Sequence, residues 1–379
     1  MAGDEPNAVA RDETARAAIL LALTPDVGPI LRQRLVERFG SPAGALAASA
    51  AQLQEVPGIG PKTARRIVAV HEEVDVDAIE AQVRDHALGL LLPSDSGYPG
   101  LLSEIPDPPG VLFVRGTIEP ADAMAVAIVG TRRASRYGRQ TAERLAGALA
   151  RAGVTVVSGL ARGIDAAAHQ GALNAGGRTI AVLASGVLNV FPPEHEALAQ
   201  QVAAQGAVVS ESAPTMPPLS GMFPQRNRII SGLSMGVVIV EAAERSGALI
   251  TARHAMEQGR EVFAVPGPID SPGSTGPNRL LRDGARLVAC VDDILEELGH
   301  LPATAVTPDA RGGSIRVAAE LKLNDLEHAV LQSIDVNGST LDDVAAQCEL
   351  PIHRVLATVS VLESRRLVRK MGGNRVARV

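Results

Sequence analysis

The sequence of 379 residues contains little cysteine and no long hydrophobic run. Its two cysteines, Cys290 and Cys348, lie over 50 positions apart without a CxxC partner, which excludes a disulfide framework and a zinc site. We expect both to be buried thiols. Apolar runs such as Thr179–Ala184 and Gly236–Val240 are far shorter than the roughly 20 residues that cross a bilayer. The N-terminus, MAGDEPNAVARDETARAA, is not typical of a signal peptide, so we expect a cytoplasmic protein with no membrane span.

Several catalytic signatures are also missing. GxxxxGK[ST] does not occur, because the nearest match, GIGPKT, has Pro61 where the second glycine must be, and this argues against a P-loop ATPase. There is no GxSxG or HExxH motif and no paired-carboxylate cluster in the loops. We therefore expect no catalytic residues, no metal and no cofactor.

The composition is that of a folded globular protein, with 46% hydrophobic and 21% charged residues. The length suggests two or three domains. The net charge of −6 hides two basic stretches, residues 126–180 and 351–379, each with a local net charge of +6. Arginine supplies 33 of the 36 basic residues, for which we favour codon bias over phosphate chemistry. Local basic patches of this kind are where an anionic partner would bind.

The first part, residues 1–78, is predicted to be helical and contains an internal repeat of 32 residues. Pro25–Pro29 aligns with Pro57–Pro61, which implies a repeated helix–turn–helix unit. The second copy, VPGIGPKTA, resembles a helix-hairpin-helix DNA-binding motif, whose turn presents backbone N–H groups to a phosphate. In the first copy Asp26 replaces the glycine and would repel a phosphate. DNA contact and a packing or protein-contact role stay equally open; the candidate contacts are Gly58, Gly60 and Lys62.

Residues 79–300 alternate short apolar runs with helical stretches, which predicts an α/β, Rossmann-like, doubly wound parallel sheet. Ligands of such sheets bind outside the carboxyl ends of the strands. The predicted strands are Val126–Gly130, Thr155–Ser158, Thr179–Ala184, Ala207–Ser210, Gly236–Glu241 and Glu261–Pro266.

Residues 301–315 are rich in proline, glycine and small residues and are predicted to be a flexible linker. Residues 316–379 are predicted to form three helices and two strands around Gly372-Gly373, the arrangement of a winged helix. Its basic residues favour duplex DNA contact and protein contact about equally. The candidate contacts are Arg365, Arg366 and Lys370.

Polar loops follow the predicted strands. GTRRASRYG offers Arg132, Arg133, Ser135 and Arg136 before a helix N-terminus, a combination suited to a phosphate. SGLARGID supplies glycines for close backbone approach, with Asp165 placed to cap the next helix. Asp165 and His169 lie one helical turn apart, and we favour capping and packing over a metal or acid–base pair.

Two later loops complete the predicted site. FPQRNR places Phe223 beside two arginines, a grouping that stacks a base and clamps its phosphate, unless Phe223 is core and Asn227 caps a helix. EAAERSGALIT offers Ser246, Gly247 and Thr251 as anion or ribose contacts. Because the chain has only seven aromatic residues, we expect phosphate contacts to carry most of the affinity.

Taken together, YPGLLSEIPDPPGVLFVRG, GTRRASRYG, SGLARGIDAAAHQGAL, FPQRNRIISGLS, EAAERSGALITA and PGPIDSPGSTGPNRLLRDGA resemble the DprA/Smf family over about residues 85–298. The resemblance implies an extended Rossmann-like domain that binds single-stranded DNA without sequence specificity, protects it and loads the RecA recombinase during natural transformation. It also implies a homodimer and no catalytic reaction.

Carried onto this chain, the family's basic pocket would contain Arg132, Ser135, Arg226 and Arg228, above the SGLARGID backbone. A lysine of the family's FP loop is missing here, where FPPEHEAL has Glu194 and His195, and Arg162 is a possible replacement. The full set of candidate DNA contacts is Gly130, Arg132, Ser135, Ser158, Gly159, Arg162, Gly163, Phe223, Arg226, Asn227, Arg228, Ser246, Gly247 and Thr251.

Two other functions remain open at this point. A nucleotide-processing phosphoribohydrolase could hold a nucleoside monophosphate in the same loops, but its PGGxGTxxE signature is absent. A transcription regulator could read duplex DNA with the winged helix and sense a nucleotide in the central domain. Release of a free base would support the first, and preference for one duplex sequence would support the second.

Overall fold

The structure is a computed structural model that describes residues 5–298, 307–308, 314–315, 325–335, 338–348, 350–364, 367–371 and 375–378. Side chains are described for residues 13–298 and for most of these residues after 325. The chain divides into two compact units, Met1–Ala289 and Cys290–Val379. The finer division at residues 78, 300 and 315 stays a prediction from the sequence. No helix among the described residues is long and apolar enough to cross a bilayer.

Seven helices form the start of the first unit, around a core that includes Leu21, Leu35, Leu53 and Ile67. The helices are α1 (Glu5–Leu23), α2 (Pro29–Phe39), α3 (Pro42–Ala47), α4 (Ala50–Gln54), α5 (Pro61–Val68), α6 (Val70–Glu73) and α7 (Val76–Asp85).

The two copies of the predicted repeat have the same backbone geometry. Asp26 and Gly58 both adopt left-handed conformations, with φ of 65° and 95°. Gly28 and Gly60 then precede α2 and α5 as extended N-cap residues, each followed by a proline at the first helical position. The repeat is therefore a tandem of hairpins.

The carboxylate of Asp26 turns toward the second hairpin. It forms ion pairs with Arg66 and, at 3.5 Å, with Lys62. Arg32 of α2 donates a hydrogen bond to the backbone oxygen of Pro108. The first hairpin thus neutralises cations of the second and is attached to the segment between the first two strands of the central sheet.

A nine-stranded sheet follows, in the order β1-β2-β6-β5-β4-β3-β7-β8-β9. Strands β3 to β9 are all parallel to one another. At one side of the sheet β2 is antiparallel to β6, and β1 is antiparallel to β2. The six predicted strands are confirmed within one or two residues, and β1, β2 and β9 are additional. The strands are β1 (Gly89–Leu91), β2 (Leu112–Gly116), β3 (Ala125–Val129), β4 (Thr155–Ser158), β5 (Thr179–Val182), β6 (Ala207–Ser210), β7 (Gly236–Ile239), β8 (Glu261–Ala264) and β9 (Arg286–Leu287).

Helices cover both faces of this sheet. Alternate residues of β5 belong to different hydrophobic clusters, Ile180 and Val182 to one and Ala181 to the other, because successive side chains of a strand point to opposite faces. Burying each aliphatic side chain in these layers contributes about 1.5–3 kcal/mol. The helices are α8 (Gly100–Ser103), α9 (Arg136–Arg151), α10 (Ile164–Asn174), α11 (Glu196–Gln205), α12 (Met222–Gly232), α13 (Gly247–Glu257) and α14 (Thr275–Arg282).

The segment expected to be one long loop between β6 and β7 contains α12. Its C-terminal half buries Ile229 and Ile230 in the core of the sheet, which accounts for its helical conformation. Phe223, Arg226, Asn227 and Arg228 therefore lie on one helix rather than in a loop.

The second unit contains four helices and five short strands among its described residues. β12, β14 and β13 form one antiparallel sheet, and β10 and β11 form another. Thr340 caps α17 by accepting a hydrogen bond from the Asp343 N–H at 3.2 Å. The elements are α15 (Val291–Leu298), β10 (Thr307–Pro308), β11 (Ser314–Ile315), α16 (Asp325–Gln332), β12 (Ser339–Thr340), α17 (Leu341–Gln347), α18 (Ile352–Ser364), β13 (Val368–Met371) and β14 (Arg375–Arg378).

Some expectations for this unit fall outside the described residues, among them most of the predicted linker, Arg365, Arg366 and the side chain of Lys370. The expectation of two buried thiols is wrong. Cys290 is exposed, and Cys348 is half-buried with its Sγ 3.2 Å from Ser333 Oγ.

Candidate nucleic-acid interface

A cleft of about 690 Å³ opens at the carboxyl edge of the sheet, where the loops after β3 and β7 meet the start of α12. Its lining includes four arginines and one carboxylate, that of Asp165. Arg133 was named in the loop after β3 but was not included among the predicted DNA contacts, and Arg245 lies within a motif quoted above but was not named, because a sequence does not show which way a loop side chain points. The predicted contacts that line the cleft are Gly130, Arg132, Phe223, Arg226, Asn227, Ser246, Gly247 and Thr251.

An arginine and two aromatic rings form a stack at the cleft. The guanidinium carbon of Arg132 lies 5.1 Å from the ring centroid of Phe223. The ring of Phe191 contacts Phe223 in a T-shaped arrangement, with 5.8 Å between centroids. Arg132 is exposed, so its charge and its planar guanidinium are both available to a ligand.

Arg226 forms the floor of the cleft. It is 6% exposed, and its guanidinium donates hydrogen bonds to the backbone oxygens of Gly159, at 2.9 Å, and Val182. A side chain at Gly159 would overlap the guanidinium, so the glycine there is needed for this close approach. Burial lowers the pKa of Arg226 to about 10, against the opposing charge of Asp165.

Asp165 lies beside Arg226 and is fully buried. Burial raises the pKa of its carboxyl to about 6, although Arg226 and the N–H groups of Ala161, Gly130 and Gly159 favour the charged form. The prediction that Asp165 caps α10 is wrong, because Gly163 holds the N-cap position and the carboxylate accepts hydrogen bonds from the loop instead.

His169 is also buried, with 0% exposure. The Thr179 hydroxyl donates to the Val156 oxygen, so it must accept from His169 Nδ1–H at 2.7 Å, and Nε2 is left without a partner. Burial lowers the pKa of His169 to about 3. Both members of the Asp165/His169 pair thus have separate packing roles, and in the part of the chain described no group of three His, Cys, Asp or Glu side chains could hold a metal ion.

The loop between β3 and α9 is held by Glu241, a residue that sequence reasoning assigned only to a strand end. The Glu241 backbone oxygen accepts from the Thr131 N–H at 2.7 Å. Its carboxylate accepts from the Ser135 N–H at 2.9 Å and from the Ser135 hydroxyl at 2.5 Å. The Ser135 Oγ in turn accepts from the Gly138 N–H, so Ser135 caps α9 and does not line the cleft.

Four other predicted contacts lie outside the cleft lining. Arg228 is 2% exposed and forms ion pairs with Asp107 and Glu211, at 3.0 and 2.6 Å, so its predicted role as a phosphate contact is corrected to a structural one. Ser158 is fully buried and donates to the backbone oxygen of Ile128.

Arg162 is exposed and forms an ion pair with Glu194. The loop expected to supply a family lysine thus neutralises the proposed replacement. Gly163 adopts a φ of +83°, and a side chain there would overlap the backbone of Thr131. Its role is to bring two loops together.

The N-terminus of α13 faces the same cleft. Ser246 is its N-cap residue and accepts a hydrogen bond from the Ala248 N–H at 3.3 Å. Gly247 has open space where a side chain would be. The positive end of the helix dipole and the exposed side chain of Arg245 therefore add to the positive potential of Arg132 and Arg133.

Comparison with known proteins agrees with the Rossmann-like sheet domain and the tandem hairpins. The family model described as DNA recombination-mediator protein A matches residues 89–299, and a SAM-like helix-hairpin-helix tandem matches residues 19–70. Protein Smf of Escherichia coli is 51% identical over 210 residues, which are 55% of this chain and 56% of that protein.

Two solved structures of DNA processing proteins are similar to this chain. DNA processing protein A (DprA) from Streptococcus pneumoniae matches with a TM-score of 0.65 and 33% identity, over 74% of this chain and 97% of that one. DNA processing protein A from Helicobacter pylori, whose structure concerns its single-stranded DNA binding mode, matches with a TM-score of 0.51 and 30% identity, over 56% and 95% of the two chains. With its Rossmann-like sheet and tandem hairpins, the chain belongs to the DNA recombination-mediator protein A family, the DprA/Smf proteins.

Proposed function

We propose that this protein binds single-stranded DNA without sequence specificity, through the cleft at the carboxyl edge of the sheet. The observation that carries the proposal is the group of exposed arginines, Arg132, Arg133 and Arg245, around the Arg132–Phe223 stack. Guanidinium groups bind phosphates of any sequence, and a planar stack accepts any base. The relationship to the H. pylori protein supports the same assignment.

The further role that we propose is to protect the bound strand and to load the RecA recombinase on it in the cytoplasm, during natural transformation or homologous recombination. We propose that the protein acts as a homodimer, without a cofactor and without catalysing a reaction. Membership of a family of recombination mediators supports this role.

The test is a fluorescence anisotropy titration of labelled oligo-dT and a matched duplex at several salt concentrations. Three arginine–phosphate contacts predict a slope of log K against log salt of about −2 for the single strand, at about −0.7 per phosphate. The variant Arg132→Ala/Arg245→Ala should lose most of the affinity and reduce that slope by about 1.4. It keeps Arg226, which the fold needs.

The matched control is Arg144→Ala/Arg151→Ala, which removes two exposed arginines of α9 that do not line the cleft. This control should bind oligo-dT like the wild type. Duplex preference, or equal losses in both double variants, would overturn the assignment of the cleft. RecA filament formation on strands coated with single-strand binding protein then tests loading, which should fail in the cleft variant only.

A further inference from the structure

The helix that follows the first parallel strand is the usual phosphate-binding position of open α/β folds. Its free N–H groups and dipole favour an anion there. In this chain that helix is α9, which begins at Arg136 after β3. The anion at this position is the side chain of Glu241, from the end of β7.

Glu241 fits this position closely. It is 7% exposed, and both of its carboxylate oxygens accept hydrogen bonds from Ser135, the N-cap residue of α9. A side chain at Gly138, in the first turn, would overlap the same carboxylate. The glycine and the glutamate are therefore a matched pair, since the one leaves the space that the other fills.

A second anion at these N–H groups would be repelled by the like charge of the Glu241 carboxylate. The exposed arginines of the cleft, by contrast, remain open to phosphates. The carboxylate also fixes the loop that carries Arg132, because it binds Ser135 while the Glu241 backbone oxygen binds Thr131.

We propose that Glu241 is a positioning residue that selects the ligand class of the cleft. It holds the loop of residues 130–138 and excludes a mononucleotide phosphate from the N-terminus of α9. The cleft then accepts phosphates of a strand, through arginine side chains. This inference rests on the proposed function, and its test separates the two.

The experiment compares the wild type with Glu241→Gln and Ser135→Ala. Adenosine monophosphate and inorganic phosphate are titrated by isothermal calorimetry, and oligo-dT by anisotropy. Glutamine keeps the size of the side chain and removes its charge, so Glu241→Gln should gain at least about tenfold in affinity for both small anions. Ser135→Ala loosens the same loop but keeps the carboxylate, so it should gain none.

Both variants should bind oligo-dT about tenfold more weakly, since each loses a hydrogen bond to a charged group. The salt slope should not change, because no arginine is removed. Tight mononucleotide binding by the wild type, or no gain in a Glu241→Gln protein with wild-type near-UV circular dichroism, would overturn the inference. Failure of the wild type to bind oligo-dT would instead overturn the proposed function. The titrations of the wild type are informative even if a variant does not fold.

Discussion

The guanidinium of Arg132 lies over the ring of Phe223, at 5.1 Å from the centroid, and thereby joins an exposed positive charge to an aromatic surface of the cleft. Phe191 supports the ring from its edge. A positive charge and an aromatic ring thus lie at one place, although they come from a loop and a helix some 90 residues apart in the sequence.

Substitution of the ring should separate these two contributions. Phe223→Leu is expected to weaken oligo-dT binding by about 1–3 kcal/mol, the value of one stacked base, with an unchanged salt slope. Anisotropy titrations over a salt series measure both quantities. Phe39→Leu is the control, because Arg38 lies over the Phe39 ring in a similar way in the helical region. A reduced slope in Phe223→Leu would mean that the ring acts only by placing Arg132.

The Arg162–Glu194 ion pair should limit binding beside the cleft. Glu194→Gln frees Arg162, so we expect tighter oligo-dT binding and a salt slope steeper by about 0.7. Glu196→Gln is the control, because Glu196 pairs with a different arginine, Arg115, at 3.1 Å. If both variants bind like the wild type, Arg162 does not contact the strand.

We expect substitution of Arg226 to lower the free energy of unfolding, because this side chain is buried in the fold. Arg226→Met removes the hydrogen bonds to the backbone oxygens of Gly159 and Val182 and the positive charge near the buried Asp165 carboxylate, which should lower the free energy of unfolding by roughly 1–3 kcal/mol. The double variant Asp165→Asn/Arg226→Met should lose less than the sum of the single changes, by about 0.5–3 kcal/mol. Urea denaturation measures all three, with the exposed Arg151→Met as control. Additive losses would show that the two side chains do not interact.

His169 should make stability depend on pH. Its pKa is lowered from 6.5 to about 3, so below pH 6.5 the unfolded chain binds a proton that the folded chain does not. The contribution of His169 to the free energy of unfolding therefore falls by up to about 1.4 kcal/mol for each unit by which the pH decreases. Asp165, with its pKa raised from 3.8 to about 6, has the opposite effect between those two values and masks it in the wild type.

A variant removes the masking. His169→Asn keeps a donor for Thr179 and should become steadily more stable relative to the wild type as the pH falls below 6.5. Urea denaturation between pH 4 and 7.5 measures the difference in unfolding free energy. A difference in unfolding free energy that is constant with pH would contradict the prediction.

Asp26 should keep the tandem hairpins from binding duplex DNA. Asp26→Gly frees Lys62, leaves Arg66 with its longer ion pair to Glu73, at 3.9 Å, and suits the left-handed backbone at this position. We expect duplex affinity to rise at low salt, with a salt slope steeper by about 0.9 to 1.8, at about 0.9 per phosphate. Glu55→Gln, which breaks the exposed pair with Arg38, is the control. Equal gains in both variants would point to net charge alone.

The parallel strands were predictable because each is an unbroken apolar run buried on both faces. β2 was missed, since its five residues end in Arg115 and Gly116 and pair antiparallel with β6. β1 and β9 are too short, at three and two residues, to show a pattern. Turn geometry in the hairpins was predictable because the glycine and proline positions determine it.

The position of the cleft was predictable from the sequence, but the hydrogen-bond and ion-pair partners of its residues were not. Arg226 and Arg228 are two residues apart, which on a helix separates their directions by about 200°, so only one can face the cleft. Treating this segment as a loop concealed that constraint. Glu241 could not be found at all, because nothing local shows that its carboxylate reaches Ser135, 106 positions away.

The two edge strands of the nine-stranded sheet limit how copies of this chain can assemble. β1 and β9 leave at most three residues of backbone at either side, too little for another polypeptide to continue the hydrogen-bonded ladder. Sheet-to-sheet growth, the common route from folded chains to fibres, is thereby blocked at both ends. Two copies would have to join through side chains of helices and loops, so their pairing would be decided by surface chemistry that point substitutions can reverse.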